Sequence, residues 1–236
     1  MITVLTWLWR QPGSRTNYTA KHVSIWADMV SRNLSMPHEL ACVTNTPDGI
    51  DPRVRIITPP GEFEDVQTAR WANGRPSCFR RLAMFRRDAA ETFGERFVCM
   101  DLDVVVGGRL DPLFDRKDDL VIFNGTAPSR PYNGSMLMMT AGCRPHVYEK
   151  FTEEGAVEAG QKFAGSDQAW LAHALGDGEA TWGEADGVYW YGSSYKRAAA
   201  APRLLFFPGS LKPWTLTAFD KFVGANYRIT EEREAA

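Results

Sequence analysis

The chain has 236 residues, of which 44% are hydrophobic and 24% are charged, and its formal net charge is −2. This is the composition of an ordinary globular protein, with enough chain to bury a core without disulfide staples. The small net charge argues against broad attraction to nucleic acid or to a membrane surface. We therefore expect no nucleic-acid partner.

The N-terminal stretch MITVLTWLWR is apolar but too short to span a bilayer, and no basic region precedes it as in a signal peptide. We interpret it as a buried first strand and expect no transmembrane segment. The cysteines Cys42, Cys78, Cys99 and Cys143 have neither zinc-knuckle nor redox-pair spacing. A reducing, cytoplasmic location is expected.

The first half of the chain alternates strand and helix patterns. Strands are predicted at ITVLTWLW, ELACVT, VRII and RFVCMDLDVVV. Helical spacing marks NYTAKHVSIWADMVSRNL, with Thr16 or Asn17 as its cap, and CFRRLAMFRRDAAETFG, an amphipathic helix that ends near Gly94. This order predicts an α/β fold, with a Rossmann-like, open, mainly parallel sheet flanked by helices.

The second half is less regular. Strands are predicted at DLVIFNG and NGSMLMMTAG, and helices at RPHVYEKFTEEG and SDQAWLAHAL. The segments GVYWYGSSYK and RLLFFPG are short and rich in aromatic residues. Neither an internal repeat nor a linker interrupts the pattern, so the sequence predicts a single domain over residues 1–236.

Two aspartates one residue apart, Asp101 and Asp103, lie within the apolar run FVCMDLDVVV. Because residues i and i+2 of a strand share a face, both carboxylates would converge at the sheet edge where ligands collect. Adjacent carboxylates repel each other unless a proton or a cation lies between them. Mg²⁺ or Mn²⁺ holding a nucleotide diphosphate would meet that need. The alternative is a turn in which both aspartates cap backbone amides.

The motifs that accompany this pair carry a resemblance. FVCMDLDVVV, followed by GGRLDPLFD, YNGSMLMM, GSDQAWLAHAL and FFPGSLKPW, resembles the GT-A-fold glycosyltransferases. The order and spacing are similar to the glycogenin-like and lipopolysaccharide-galactosyltransferase-like group of retaining enzymes, with bacterial and phage relatives. The resemblance covers most of the chain and is strongest over residues 80–214.

The resemblance implies a function and a division of the chain. The expected reaction transfers a hexose from a nucleotide diphosphate sugar, such as a uridine diphosphate (UDP) sugar, to a hydroxyl of a saccharide or another acceptor. A divalent metal, Mn²⁺ or Mg²⁺, is the expected cofactor. The nucleotide-binding half would cover about residues 1–106 and the acceptor-side half about 107–227, followed by a loose tail at 228–236.

The resemblance also assigns residues to the donor site. Asp101 and Asp103 match the D-x-D motif of the family, which binds the metal and the sugar nucleotide. Arg81 matches a basic residue that reaches the donor sugar, and Asn133 matches an asparagine that lines the sugar pocket. Tyr18 is aligned with a residue that covers the nucleobase.

Four further residues are assigned near the reacting bond. Asp167 and Gln168 match a pair beside the reacting carbon, and Gly209 and Lys212 match a loop that closes on the diphosphate. Lys212 and the metal would offset the charge that builds on the leaving diphosphate. No carboxylate clearly suits a covalent intermediate. The expected mechanism is therefore a front-face substitution in which the leaving phosphate accepts the acceptor proton.

One departure from the family concerns the metal. The family has a histidine near the loop glycine that completes the metal site, whereas Phe206, Phe207 and Pro208 precede Gly209 here. Weak metal binding that depends on the nucleotide is therefore expected, and Phe206→His or Pro208→His could tighten it.

Plain structural roles compete with some of these assignments. The arginines at 80, 81, 86 and 87 could form a solvated helix face, with at most one or two directed into a site. Asp167 or Ser166 could simply cap a helix. The aromatic residues Trp182, Tyr189, Trp190 and Tyr191 could stack on an acceptor sugar, but such density is typical of a core. Lys196 could approach the donor or acceptor.

Two other functions remain open at this point. A haloacid-dehalogenase-like phosphohydrolase also ends an apolar strand with D-x-D, and its first aspartate is the nucleophile. In that superfamily the motif usually opens the domain, whereas about a hundred residues precede it here. A non-catalytic protein that binds a sugar nucleotide or a glycan would explain the missing histidine, but not the retention of Asn133, Asp167 and Lys212.

Overall fold

The computed structural model describes residues 1–10, 18–66 and 78–229, so the expected tail at 228–236 lies outside the described residues except for its first two. A seven-stranded sheet lies at the centre and a three-stranded sheet lies beside it. The strands in chain order are β1 (Ile2–Leu8), β2 (His38–Thr44), β3 (Val54–Ile57), β4 (Arg96–Met100), β5 (Val104–Val106), β6 (Leu120–Ala127), β7 (Arg130–Thr140), β8 (Ala180–Trp182), β9 (Val188–Trp190) and β10 (Leu204–Phe206).

The large sheet is mixed but mainly parallel. Its strand order is β3-β2-β1-β4-β7-β6-β8, and only β7 runs against its neighbours β4 and β6. The small sheet has the order β5-β10-β9, with β10 antiparallel to β5 and parallel to β9. The predicted α/β class and the open, mainly parallel sheet are confirmed. Strands from both predicted halves of the chain share the large sheet.

Helices flank the two sheets. They are α1 (Ala20–Asn33), α2 (Ala89–Phe93), α3 (Asp111–Phe114), α4 (His146–Glu149), α5 (Glu153–Lys162), α6 (Asp167–Leu175), α7 (Ser193–Lys196) and α8 (Lys221–Asn226), with 3₁₀ turns at Phe79–Phe85, Glu184–Asp186 and Pro213–Thr215. Thr19 is the N-cap of α1, and its backbone N–H donates to His22 Nδ1 at 2.9 Å. The predicted caps Thr16 and Asn17 lie outside the described residues.

The apolar character of β4 follows from its central position. Val98 and Met100 pack into one hydrophobic cluster with α1 and the small sheet. Phe97 and Cys99 pack into a second cluster, on the opposite face, with Phe79–Phe85 and α6. A strand buried on both faces is continuously apolar rather than alternating.

The predicted helix at CFRRLAMFRRDAAETFG is wrong in its continuity. The segment Phe79–Phe85 forms a 3₁₀ turn in which every residue is buried, including two arginines. Arg86 then adopts an extended conformation before α2 begins at Ala89, and Gly94 ends that helix. A segment buried on all sides has no solvated face, so the amphipathic interpretation fails there. RPHVYEKFTEEG is likewise divided between α4 and α5, because Thr152 accepts from Gly155 N and starts a new helix.

The predicted strand RFVCMDLDVVV is also divided. β4 ends at Met100 in the large sheet, and β5 begins at Val104 in the small sheet. The connection between the two strands is formed by Asp101, Leu102 and Asp103. The prediction that the two aspartates share a face of one strand is therefore wrong. Leu102 is 2% exposed within the core, and its burial anchors the turn that carries the two carboxylates.

Within the described residues, no helix combines the length and the apolar character needed to cross a membrane. The four cysteines are free thiols, and Cys42 and Cys99 are buried as predicted. Burial raises the pKa of Cys42 to about 12 and that of Cys99 to about 11, so both thiols stay protonated at neutral pH.

Truncation of a central aromatic residue measures the contribution of this core. Phe97 is completely buried in β4 and its ring lies 5.5 Å from that of Phe93. Phe97→Ala should lower the free energy of unfolding by about 3–5 kcal/mol because it leaves a cavity. Phe219, at 85% exposed, offers the matched control, and Phe219→Ala should change stability by less than about 0.5 kcal/mol. Equal effects in urea denaturation would contradict the described core.

Candidate functional site

The site is built around the turn that follows β4. Asp101 is the first residue after that strand, and its backbone N–H donates to the Ser135 carbonyl of β7 at 2.9 Å. Its carboxylate Oδ1 accepts from Arg81 at 2.9 Å. The Asp101 side chain remains 31% exposed. The carboxylate is therefore fixed from one side and open to a ligand from another.

Arg81 joins the turn to the surrounding elements. Its guanidinium is buried, donates to the carbonyl of Gly134 in β7, and lies 3.4 Å from Cys99 Sγ. Its Nε lies 3.8 Å from Asp167 Oδ2 at the start of α6. One guanidinium thus faces two carboxylates and a strand carbonyl. Arg81 therefore lies beside Asp101 and Asp167, and its contact with a donor sugar stays a prediction.

The electrostatic state of these carboxylates is set by opposing effects. Desolvation raises the pKa of Asp101 to about 6, Arg81 opposes the shift, and the charge of Asp103 adds to it. Desolvation also raises the pKa of Asp167, again opposed by Arg81. The pKa of Asp101 therefore reflects burial first, then attraction to Arg81, and only then repulsion from Asp103.

Asp103 has a different cationic partner. Lys212 Nζ donates to Asp103 Oδ2 at 2.5 Å, and each residue is 8% exposed. The same ammonium lies 3.3 Å from the Tyr18 hydroxyl and 5.7 Å from the centre of the Tyr18 ring. The structure therefore brings together three residues that the sequence placed in the donor site.

Tyr18, which contacts the Lys212 ammonium, belongs to an aromatic cluster. Tyr18 packs edge-on against His22 and Trp214 with ring centroids 5.8 Å apart in both pairs, and His22 lies 4.5 Å from Trp214. Tyr227 lies 6.3 Å from Trp214. The Tyr227 hydroxyl is buried without a hydrogen-bond partner among the described residues, and burial, then the charge of Asp103, raises the pKa of Tyr227. Tyr227 lies close to the predicted tail, and nothing in the sequence around it indicated a buried position near Asp103.

Asp167 and Gln168 begin α6, as predicted, but they make different contacts. The Ser166 hydroxyl lies 3.3 Å from Asp167 Oδ1. Gly134 allows β7 to approach closely, because a Cβ at that position would lie 3.2 Å from Asp167 Oδ2. Gln168 Nε2 instead donates to the Ala164 carbonyl at 3.0 Å. Asp167 thus shares Arg81 with Asp101, whereas the Gln168 amide is held by the preceding loop.

Asn133 and Gly209 have supporting positions. Asn133 is buried in β7, and its Oδ1 accepts from Ser135 N at 2.8 Å, which shapes the strand segment beside Asp101. Gly209 adopts φ +58, and a Cβ added there would meet no atom of the described residues within 4 Å, so the role of this glycine is conformational. It turns the chain between the buried β10 and Lys212.

The resemblance led us to expect a metal-binding histidine just before Gly209, and the three residues found there have different environments. Phe206 is 1% exposed and packs 4.9 Å from Phe123, so it belongs to the core and is no candidate for conversion to a metal ligand. Phe207 stacks on Tyr191 at 5.3 Å, whereas Pro208 is exposed. Phe206→His would place an imidazole in this core and is not expected to tighten metal binding.

The other candidate aromatic residues have mainly structural contacts. Trp182 is completely buried and donates to the Leu113 carbonyl at 3.2 Å. Trp190 packs against Phe123 at 5.5 Å. Lys196 lies over the Tyr191 ring at 5.7 Å. These contacts favour the core interpretation that the sequence had already favoured for Trp182 and Trp190.

Comparison with solved structures shows which proteins share this fold. A glutamine-to-glutamate active-site mutant of LgtC aligns over 98% of this chain and 99% of its own, with 14% identity and a TM-score of 0.66. The galactosyltransferase LgtC in complex with donor and acceptor sugar analogues aligns over the same shares, with 13% identity and a TM-score of 0.56. The chain shares their fold. This is the GT-A fold expected from the sequence.

A third structure extends the comparison. The glycosyltransferase GlyE of Streptococcus pneumoniae TIGR4 aligns over 91% of this chain and 57% of its own, with 13% identity and a TM-score of 0.56. No protein-family model matches the sequence, and a search of curated proteins gives no significant match. The likeness is therefore one of fold, and the assignment of chemistry depends on the residues of the site.

The carboxylate oxygens of the candidate site fit a hard divalent cation whose coordination is completed by a bound ligand. Asp101 and Asp103 supply carboxylate oxygens, which Mg²⁺ and Mn²⁺ prefer. Among residues 1–10, 18–66 and 78–229, no group of three or more His, Cys, Asp or Glu side chains could hold a metal. A cation at the two aspartates would therefore take its remaining ligands from a diphosphate and from water.

Removal of Arg81 should destabilise the protein strongly. Arg81→Ala leaves the buried carboxylate of Asp167 and the partly exposed carboxylate of Asp101 without their shared cation, which should cost about 3–5 kcal/mol in the free energy of unfolding. Adding Asp101→Asn should recover part of this loss, because one unpaired charge disappears.

Arg87→Ala is the matched control for that measurement. Arg87 is 72% exposed and pairs with Glu149 at the surface, so its removal should cost less than about 1 kcal/mol. Urea denaturation of the four proteins gives the comparison. If Arg81→Ala is no more destabilising than Arg87→Ala, the described charge network is wrong.

Proposed function

We propose that this protein is a glycosyltransferase that moves a hexose from a nucleotide diphosphate sugar, most simply a UDP-sugar, to a hydroxyl of a saccharide or another acceptor. The observation that carries the proposal is the pairing of Asp103 with Lys212 beside the pairing of Asp101 with Arg81. Two carboxylates and two cations at one sheet edge suit a ligand that carries a diphosphate and a metal. The shared fold with LgtC and GlyE supports the same reaction class.

The donor would lie across the edge formed by β4 and β7. Tyr18, at the start of α1, would cover the nucleobase, and Lys212 would contact the diphosphate. Arg81 would orient the donor sugar through its contacts with Asp101 and Asp167. Asn133 would shape the sugar pocket by holding the backbone at Ser135.

Asp167 and Gln168 would lie nearest to the reacting carbon. LgtC has an active-site glutamine, whose replacement by glutamate was solved, and Gln168 is the corresponding candidate in this chain. Asp167 is already engaged by Arg81 and Ser166, which favours a positioning role over attack on the sugar. This supports front-face substitution with retention, in which the leaving phosphate takes the proton of the acceptor hydroxyl.

A divalent metal, Mn²⁺ or Mg²⁺, would be held by Asp101 and Asp103 together with the diphosphate. When bound it would supply positive charge that stabilises the leaving diphosphate. Lys212 would add a second positive charge from the protein side. Arg81 would keep the Asp101 carboxylate oriented throughout.

Thermal denaturation tests donor binding and its dependence on the metal. The wild-type protein should be stabilised by UDP or by a UDP-hexose in the presence of Mn²⁺, because ligand binding raises stability by mass action. Asp103→Ala should abolish this stabilisation and leave the far-ultraviolet circular dichroism unchanged. Asp177→Ala, which removes an exposed aspartate from the loop after α6, is the control and should retain it. If Asp103→Ala still binds UDP in a metal-dependent way with unchanged affinity, the donor-site assignment fails.

Kinetics test the role of Lys212. Lys212→Ala should slow donor turnover by on the order of a hundredfold, the usual effect of losing one group that stabilises a developing negative charge. The rate is measured from the release of UDP. Turnover at the wild-type rate would remove Lys212 from the reaction.

A further inference from the structure

We propose that Lys212 blocks the metal position on Asp103 in the nucleotide-free protein, and that a diphosphate releases this block by attracting the Lys212 ammonium to itself. The inference rests on the proposed function and adds a regulation of the same site. It makes Lys212 responsible for coupling metal binding to nucleotide binding.

The first step of the argument is geometric. Lys212 Nζ lies 2.5 Å from Asp103 Oδ2, where a cation bound to this carboxylate would have to approach. An ammonium at Oδ2 occupies one of the carboxylate's ligand positions, and its charge repels a divalent metal that approaches the same carboxylate. The Lys212 side chain is only 10% exposed, so water weakens this competition little.

The second step is that the protein holds Lys212 in this position. Trp214, two residues later, packs against His22 of α1 and against Tyr227. The end of the chain beyond it is tied to α1, because Arg32 donates to the carbonyl oxygens of Asn226 at 2.7 Å and Arg228 at 3.0 Å. The block is therefore part of the packed structure rather than a chance surface contact.

A second contact anchors the segment that follows Lys212. The Tyr195 hydroxyl contacts both carboxylate oxygens of Asp220, at 2.9 and 3.0 Å. Asp220 in turn caps α8 by accepting from Phe222 N and Val223 N. The segment that follows Lys212 is therefore anchored at Asp220 and at the start of α8.

The third step explains the release. A lysine is a mobile point charge on a flexible stem, and a diphosphate offers it more negative charge than one carboxylate does. The same ammonium also contacts the Tyr18 hydroxyl, so a nucleotide that engages Tyr18 and the diphosphate position meets both contacts of Lys212 together. Once Lys212 turns to the diphosphate, both Asp103 oxygens can face the metal.

The experiment titrates Mn²⁺ alone, and Mn²⁺ with saturating UDP, into the whole chain, with free Mn²⁺ read by electron paramagnetic resonance. Wild-type protein should bind Mn²⁺ weakly alone and far more tightly with UDP. Lys212→Met removes the competing charge and should bind Mn²⁺ alone at least about tenfold more tightly than wild type. In the UDP complex Lys212 no longer faces Asp103, so its removal should change Mn²⁺ affinity little there. The factor by which UDP strengthens Mn²⁺ binding should therefore fall by about the same tenfold, and the factor by which Mn²⁺ strengthens UDP binding should fall equally.

Three further variants separate the charge from the packing. Lys212→Arg keeps the cation and should keep the weak binding of Mn²⁺ alone. Lys221→Met removes an exposed lysine of α8 and should behave as wild type. Lys212→Gln retains a hydrogen-bond donor for Asp103 and should show the same gain in affinity for Mn²⁺ alone as Lys212→Met. It takes the place of Lys212→Met if Lys212→Met does not fold. Adding Asp103→Asn to Lys212→Met or to Lys212→Gln should remove the gain in Mn²⁺ affinity.

The outcomes distinguish this inference from the proposed function. Unchanged binding of Mn²⁺ alone by folded Lys212→Met and Lys212→Gln would overturn the block, even where UDP still promotes metal binding by the wild type. Tight binding of Mn²⁺ alone by the wild type would overturn it as well. Failure of UDP to bind any variant would contradict the nucleotide-sugar proposal and the release step, whereas the gain in the Lys212 variants would remain as the mark of the block.

Discussion

Two ion pairs are the constraint on which the rest of the site depends: the buried pair of Lys212 with Asp103, and the pair of buried Arg81 with the partly exposed Asp101. Carboxylates within an apolar connection between two sheets are tolerated only because a cation reaches each one. The 3₁₀ turn at Phe79–Phe85 is buried because it brings Arg81 to Asp101. The need for a cation at Asp103 likewise explains why the chain returns to the end of β4 after β10.

The fold places these pairs where sheets, helices and loops converge. β4 lies between β1 and β7 and is covered on both faces, so the turn that follows it is held by a rigid core. β7 supplies the carbonyl groups of Gly134 and Ser135 that position Arg81 and Asp101. α6 adds Asp167 from the other side. A ligand at this edge therefore meets carboxylates that are held in place before it binds.

The long apolar strands, the carboxylate pair and the GT-A resemblance were predictable from the sequence, because each is a local pattern. The pairing of Lys212 with Asp103 joins residues 109 positions apart and has no local signal. The arginine run misled the helix prediction because Arg80 and Arg81 neutralise the carboxylates of Glu64 and Asp101 instead of facing water. The division of the strand at Asp101 was missed because both halves are equally apolar.

The most direct test of the central claim follows the donor itself. Phosphorus and proton nuclear magnetic resonance of wild-type protein with Mn²⁺, a UDP-hexose and candidate acceptors should show conversion of the donor to UDP and a sugar product of retained anomeric configuration. Asp103→Asn should lose this conversion. Cleavage of a simple phosphoester while every UDP-sugar stays intact would contradict the account, as would donor conversion at the same rate by Asp103→Asn.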